Sequence, residues 1–136
     1  MARAASVHPV LERLRKLTRQ AFEAAIAEIY RGEGYLVEQA APGHADRGYD
    51  LVLLRENSVL VQCRHWLVDQ IGITPVRELA GAMQKVGATG GVVVTTGSFT
   101  KSARAFAIST AIQLVDGEAL IRRFSAQKRL GKQTAA

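Results

Sequence analysis

The chain has 136 residues, 48% hydrophobic and 22% charged, enough for one domain with a real core and too few for two ordinary ones. Lys and Arg number 18 against 12 Asp and Glu, and the resulting net charge of +6 fits a polyanionic partner, nucleic acid before membrane surface. Cys63 is the single cysteine, so an intramolecular disulfide is excluded and a cysteine-based zinc site is disfavoured; no apolar run approaches the roughly 18 residues of a membrane span, and the N-terminus lacks the apolar core of a signal peptide. The expected location is therefore cytoplasmic, with no membrane partner.

In chain order, Val10, Leu11, Leu14, Leu17, Ala21, Phe22, Ala25, Ile26 and Ile29 recur at helical spacing. They predict one long amphipathic helix over about 8–31, with a kink near Thr18. Glu12, Arg13, Arg15, Lys16, Arg19 and Gln20 form its solvated face, while Glu23 and Glu28 lie nearer the apolar stripe. Gly32 and Gly34 end the helix, and Tyr35-Leu36-Val37 gives a first short strand. Pro42 and Gly43 mark a loop. Leu51–Leu54 and Val59–Val61 flank the polar link Arg55-Glu56-Asn57-Ser58, the pattern of a β-hairpin.

That hairpin organises the candidate chemistry. The start of one antiparallel strand lies beside the end of the next, which brings Asp50 to Gln62 and Arg64. Alternation puts Gln62 and Arg64 on one face and Val61, Cys63 and His65 on the other. Cys63 then reads as a buried, inert thiol, His65 as structural, and Trp66 as a half-buried aromatic at a strand end that could also stack on a base.

Residues 67–73 read as irregular. Thr74-Pro75 predicts an N-cap with proline at the first helical position, and Val76, Leu79, Ala80, Met83 and Val86 form the stripe of a second helix. Val92-Val93-Val94 is a β-branched run expected for a strand buried on both faces. Thr95-Thr96-Gly97-Ser98 leads into a third helix with Ala103, Phe106, Ala107 and Thr110 inward. Ile112–Val115 is the last strand, and Asp116 caps a short helix through Phe124. The tail, 125–136, is basic and expected to be mobile. The whole reads as a single domain over 1–136 with its core at about 8–124.

Several stretches resemble one family in the same order. They are Gly34-Tyr35, Asp46-x-Gly48-x-Asp50, Val61-Gln62-Cys63-Arg64-x-Trp66, Val76-Arg77-Glu78-Leu79-x-Gly81-Ala82, Gly91-Val92-x-Val94-Thr95-Thr96-Gly97 and Leu114-Val115-Asp116-Gly117. Over about Phe22 to Phe124 the chain resembles the catalytic domain of Mrr-type restriction endonucleases, within the PD-(D/E)xK nuclease superfamily. The resemblance implies an α/β, restriction-endonuclease-like three-layer fold, a central mixed β-sheet of about five strands flanked by helices. It implies a DNA endonuclease of restriction or defence type that hydrolyses phosphodiesters with Mg2+, for which Mn2+ can substitute. The helix acid would be Glu23 and the central metal-binding acid Asp50. Gln62 and the Cys63 backbone carbonyl would complete the metal site.

The family's lysine position is Arg64 here. A guanidinium clamps phosphate bidentately but does not act as a base. Asp50, Gln62 and Arg64 are thus the expected catalytic groups. Arg64 could instead pair with Asp50 or Glu23 and occupy the metal site, leaving a DNA-binding module without catalysis. A structure-specific nuclease such as a junction resolvase is a further alternative, as is an interaction scaffold. Thr96 and Ser98 before a helix N-terminus, with Lys101, Arg104 and Arg77, are candidate DNA contacts. Asp46 reads as a loop-shaping residue. DNA is the expected partner, and cutting both strands is simplest for a symmetric homodimer.

Overall fold

The computed structural model describes residues 8–40, 48–64 and 69–135, with side chains accounted for up to 126. Asp46, His65, Trp66 and the basic side chains of the tail lie outside the described residues.

The predicted long helix is two helices, α1 (Pro9–Arg15) and α2 (Arg19–Gly32). The break has a local cause. Thr18 is extended (φ −67°, ψ 165°), and its hydroxyl accepts the Ala21 amide hydrogen at 3.1 Å, so threonine caps a fresh helix start instead of sitting within a continuous one. Next come β1 (Leu36–Gln39), β2 (Leu51–Leu54), β3 (Ser58–Cys63), the two-residue β4 (Gln70–Ile71) and α3 (Ile73–Val86). After them follow β5 (Gly90–Val94), β6 (Ser98–Phe99), α4 (Lys101–Ile108), β7 (Ile112–Val115) and α5 (Gly117–Ala135).

Five strands form one mixed sheet in the order β1-β2-β3-β5-β7. β1, β2 and β3 pair antiparallel, and β3, β5 and β7 pair parallel. The hairpin register sets Leu51 opposite Val61 and Leu54 opposite Ser58. Consecutive residues of the sheet enter opposite cores, as strand alternation requires. Val61, Cys63, Val92 and Val94 pack with Phe22, Ile26 and Ile29 of α2 and Leu120 of α5. Leu60 and Val93 pack on the other side with Val76 and Leu79 of α3 and Ala103 and Ala107 of α4. The result is the expected three-layer α/β arrangement. Gly91 lets α3 lie close on β5: a Cβ there would sit 2.8 Å from Met83 Sδ and 2.9 Å from Leu79 Cδ2.

Four local expectations change. Gly72, not Thr74, is the N-cap of α3, so Pro75 falls in the first turn instead of at its first position. Residues 67–73 are not wholly irregular, because Gln70–Ile71 pairs in parallel with Ser98–Phe99 as a separate two-stranded sheet. The same pairing keeps Thr96 and Ser98 from leading directly into a helix; α4 begins at Lys101, capped by the Thr100 hydroxyl, which accepts the Ala103 amide at 3.2 Å. Asp116 does cap α5, its Oδ1 accepting the Ala119 amide at 3.0 Å, but the helix continues to Ala135 instead of ending at Phe124.

Candidate active site

The site lies where α2, the open end of the hairpin and α3 converge. Asp50 precedes β2, and its backbone is fixed from both sides: its amide donates to the Val61 carbonyl at 2.7 Å, and its carbonyl accepts from the Ala40 amide at 2.9 Å. With the main chain pinned, the carboxylate reaches across the hairpin. Asp50 Oδ2 accepts the Cys63 amide hydrogen at 2.7 Å. The other edge of the strand end is held by β5, since the Arg64 amide donates to the Val94 carbonyl at 2.9 Å. A residue in an extended strand directs its N–H and C=O to the same neighbour. The Cys63 carbonyl therefore faces the Asp50 edge along with its amide. The Cys63 thiol is buried, and burial, followed by Asp50 and Glu23, pushes its pKa well above the ordinary value. That fits an inert thiol and leaves the backbone as the functional part of the residue.

Gln62 is only 4% exposed. Its Nε2 donates to the Gly48 carbonyl at 3.0 Å, and its Oε1 is buried with no hydrogen-bond partner among the described residues. Gly48 takes φ +87°, a region that suits glycine, and a Cβ there would lie 3.1 Å from the Glu78 carbonyl. This close approach sets the loop against α3 and gives the Gln62 amide its orientation. Arg64, two residues on, shares the Gln62 face and has a buried Nε without a hydrogen-bond partner among the described residues.

A cavity of about 310 Å3 unites these groups. Its lining includes Arg19, Asp50, Gln62, Arg64, Glu78 and Lys85. Asp50, Gln62 and Arg64 thus come together as the hairpin argument requires. Glu23 joins them through Arg19. Arg19 Nε donates to Glu23 Oε2 at 3.2 Å and its terminal nitrogen to Asp50 Oδ1 at 3.3 Å. Burial, and then the charge of Asp50, raise the Glu23 pKa against the opposing pull of Arg19. For Arg19, burial acts to lower the pKa, but Asp50 and Glu23 outweigh it and the net shift is upward. The alternative raised for Arg64, a pair with Asp50 or Glu23, is taken up by a different residue: Arg19 lies between the two carboxylates. Among the described residues, Arg64 pairs with no carboxylate.

The other candidate contacts are dispersed. Thr96 is 1% exposed, and its side chain and carbonyl receive hydrogen bonds from Arg15 at 3.3 and 3.2 Å. Ser98 donates to the Asp69 carbonyl within the small sheet. Lys101 and Arg104 are exposed on α4, with Arg104 3.8 Å from Asp116. Arg77 is exposed on α3, but Glu78 and Lys85 are the α3 residues with charged groups in the cavity lining. Helical spacing could have flagged that pair, since positions seven apart share a face.

The donor set suits a hard divalent cation. Among the described residues no three His, Cys, Asp or Glu side chains cluster. Magnesium, however, needs only one or two carboxylates with neutral oxygens and water. Glu23 and Asp50 would supply the charge, and Gln62 Oε1 and the Cys63 carbonyl would supply neutral oxygens. The unpartnered, buried Gln62 Oε1 is the observation that fits, because a buried acceptor left alone is costly and a cation satisfies it.

With this arrangement in view, the comparisons decide the family. The restriction endonuclease family model Mrr_cat matches residues 14–124. The chain belongs to the Mrr restriction endonuclease family. This Mrr-family chain is 33% identical over 121 residues to the type IV methyl-directed restriction enzyme EcoKMrr of Escherichia coli (strain K12), a match covering 82% of this chain and 40% of that enzyme. It therefore spans well under half of that relative. Among solved structures, it resembles the DNA modification-dependent restriction endonuclease AspBHI, with a TM-score of 0.69, 16% identity, and coverage of 85% of this chain and 34% of the other. It also resembles MspJI restriction endonuclease in complex with a 27-mer oligonucleotide, with a TM-score of 0.59, 23% identity, and coverage of 90% and 32%. At these identities the structural likenesses establish the restriction-endonuclease-like fold. Among the described residues no helix is long and apolar enough to cross a membrane.

Proposed function

We propose that this Mrr-family chain is the cutting module of a DNA endonuclease of restriction or defence type, hydrolysing phosphodiesters with Mg2+, for which Mn2+ substitutes. The observation that carries the reading is a pair of complementary orphaned atoms in one cavity. Gln62 offers a buried acceptor and Arg64 a buried donor, each without a partner among the described residues. A neutral oxygen acceptor on a side chain that shares the cavity lining with Asp50 suits a cation, and a guanidinium donor suits a phosphate oxygen. A bound ion would orient and acidify the attacking water and neutralise charge developing on phosphate.

The chain's own residues do the rest. Asp50, fixed by the Cys63 amide, holds its carboxylate in register with the strand end. Glu23 supplies the second negative charge from α2. Gln62, oriented by its Nε2 bond to the Gly48 carbonyl, would offer Oε1 as the neutral oxygen of the site. Arg64 clamps the phosphate beside the scissile bond and serves as a hydrogen-bond donor, since a guanidinium has no acceptor. Lys85 adds positive charge on the opposite wall. Exposed Arg77, Lys101 and Arg104 serve as non-specific backbone contacts, and cutting both strands calls for two such clefts, hence a homodimer on DNA. The reading takes 8–124 as the core of one nuclease module and the cytoplasm as its location.

The test is cleavage of supercoiled plasmid with Mg2+ or Mn2+. The wild type nicks or linearises the plasmid, and Asp50→Asn does not. Binding of duplex DNA without any turnover, by wild type and by Arg64→Lys alike, would favour the DNA-binding module instead. A preference for branched over linear DNA would mark a structure-specific nuclease.

A further inference from the structure

Arg19 breaks a local rule of helix design. It occupies the first position of α2, where the helix macrodipole disfavours positive charge, and no acidic residue occupies that first turn. A residue that violates a local preference is expected to be compensated elsewhere. Here the compensation is the fork of hydrogen bonds to Glu23 Oε2 at 3.2 Å and Asp50 Oδ1 at 3.3 Å. Those are the two carboxylates that the proposed function assigns to the divalent ion, and the inference below rests on that assignment.

We propose that Arg19 is a built-in competitor for the divalent cation: it bridges Glu23 and Asp50 in the ion-free protein, weakens ion binding, and swings out of the bridge when the ion enters. The side chain can move. It is 53% exposed, and its partners are 17% and 11% exposed, so the arginine reaches in from solvent to carboxylates fixed in the cleft wall. Its departure costs little, because partly exposed ion pairs contribute weakly. The Asp50 carboxylate does not depend on Arg19 for its position, since Oδ2 remains held by the Cys63 amide at 2.7 Å. Gln62 Oε1 also stays unpartnered while Arg19 bridges the acids. The arginine therefore balances charge without completing the oxygen cage, which is how a weak stand-in differs from a permanent occupant. Arg19 and Arg64 both line the cavity, so a displaced guanidinium would keep its positive charge near the cleft. Ion entry then leaves both carboxylates neutralised and adds one positive charge toward the DNA side of the cleft.

The experiment is a Mn2+ titration of the DNA-free full chain, with free Mn2+ read by electron paramagnetic resonance, for wild type, Arg19→Gln, Arg19→Lys and Asp50→Asn. Circular dichroism checks that each is folded. Arg19→Gln should bind Mn2+ about 3- to 10-fold more tightly than wild type, the size expected from removing two weak competing ion pairs. Arg19→Lys should lie between the two, because an ammonium lacks the fork that spans both acids. Equal or weaker binding by Arg19→Gln, with wild type binding and Asp50→Asn not, would overturn the competitor role and leave the metal site intact. Absence of binding by wild type and Arg19→Gln alike at millimolar Mn2+ would overturn the metal reading and the competitor role together.

Discussion

The Asp50 carboxylate accepts the backbone amide hydrogen of Cys63 at 2.7 Å, a side-chain bond that closes the mouth of the β2–β3 hairpin. The bond ties the central acid to the main chain of the strand that also carries Gln62 and Arg64. Charge and position at Asp50 can be separated by substitution. Asp50→Asn keeps an acceptor for the Cys63 amide and removes the charge, so the fold should persist. Plasmid cleavage should fall about 100-fold or more, because losing an ion that stabilises transition-state charge by several kcal/mol costs at least that. Melting temperature and cleavage rate, measured on the same preparation, check the separation.

Arg64 should act on DNA and not on the ion. Arg64→Ala removes a charge-assisted contact of about 1.5–3 kcal/mol, so cleavage should drop about 10- to 100-fold while Mn2+ affinity changes little. The slope of log affinity against log salt should fall by about one phosphate contact. Arg64→Lys keeps the positive charge and should cut at least as well as Arg64→Ala at every salt concentration. Fluorescence anisotropy with a labelled duplex reads the first effect, and a cleavage time course the second.

Gly48→Ala should harm activity more than its size suggests. The residue sits at φ +87°, and the added methyl would meet the Glu78 carbonyl at 3.1 Å. Strain of this kind costs about 1–3 kcal/mol. The shift also disturbs the Gly48 carbonyl that orients the Gln62 amide, so cleavage should fall even at temperatures where the variant is fully folded.

Tyr30, which does not line the cleft, provides a separate pH signature. Its hydroxyl is buried without a hydrogen-bond partner among the described residues, and burial pushes its pKa up from 10.0 to about 12. The folded state therefore keeps a proton that the unfolded chain loses from pH 10 upward. Stability should be fully present below about 10 and decline as pH rises from about 10 to about 12, by at most roughly 3 kcal/mol. Tyr30→Phe should flatten this decline, as denaturant melts across that range would show.

Sequence alone made the sheet legible where pattern and burial agree. The run Val92-Val93-Val94 is buried on both faces, and the hairpin turns at the polar residues as expected, except that Ser58 already belongs to β3, opposite Leu54. The grouping of Asp50, Gln62 and Arg64 followed from antiparallel geometry and alternation alone. What escaped were features whose cause is distant in sequence or very short. Arg19 looked solvated because one of its partners, Asp50, is 31 residues away. The β4–β6 sheet has two residues per strand, too few for alternation to register. Thr74-Pro75 looked like a helix start, but Gly72, extended at φ −88° and ψ −167°, let the helix begin earlier.

The most direct test is a crystal structure of the full chain grown with Mn2+, with an anomalous difference map recorded at the manganese edge. The account predicts one peak bounded by Glu23, Asp50, Gln62 Oε1 and the Cys63 carbonyl, with the Arg19 side chain withdrawn from between the acids. A map empty at that position, with Arg19 still bridging Glu23 and Asp50 at saturating Mn2+, would contradict it.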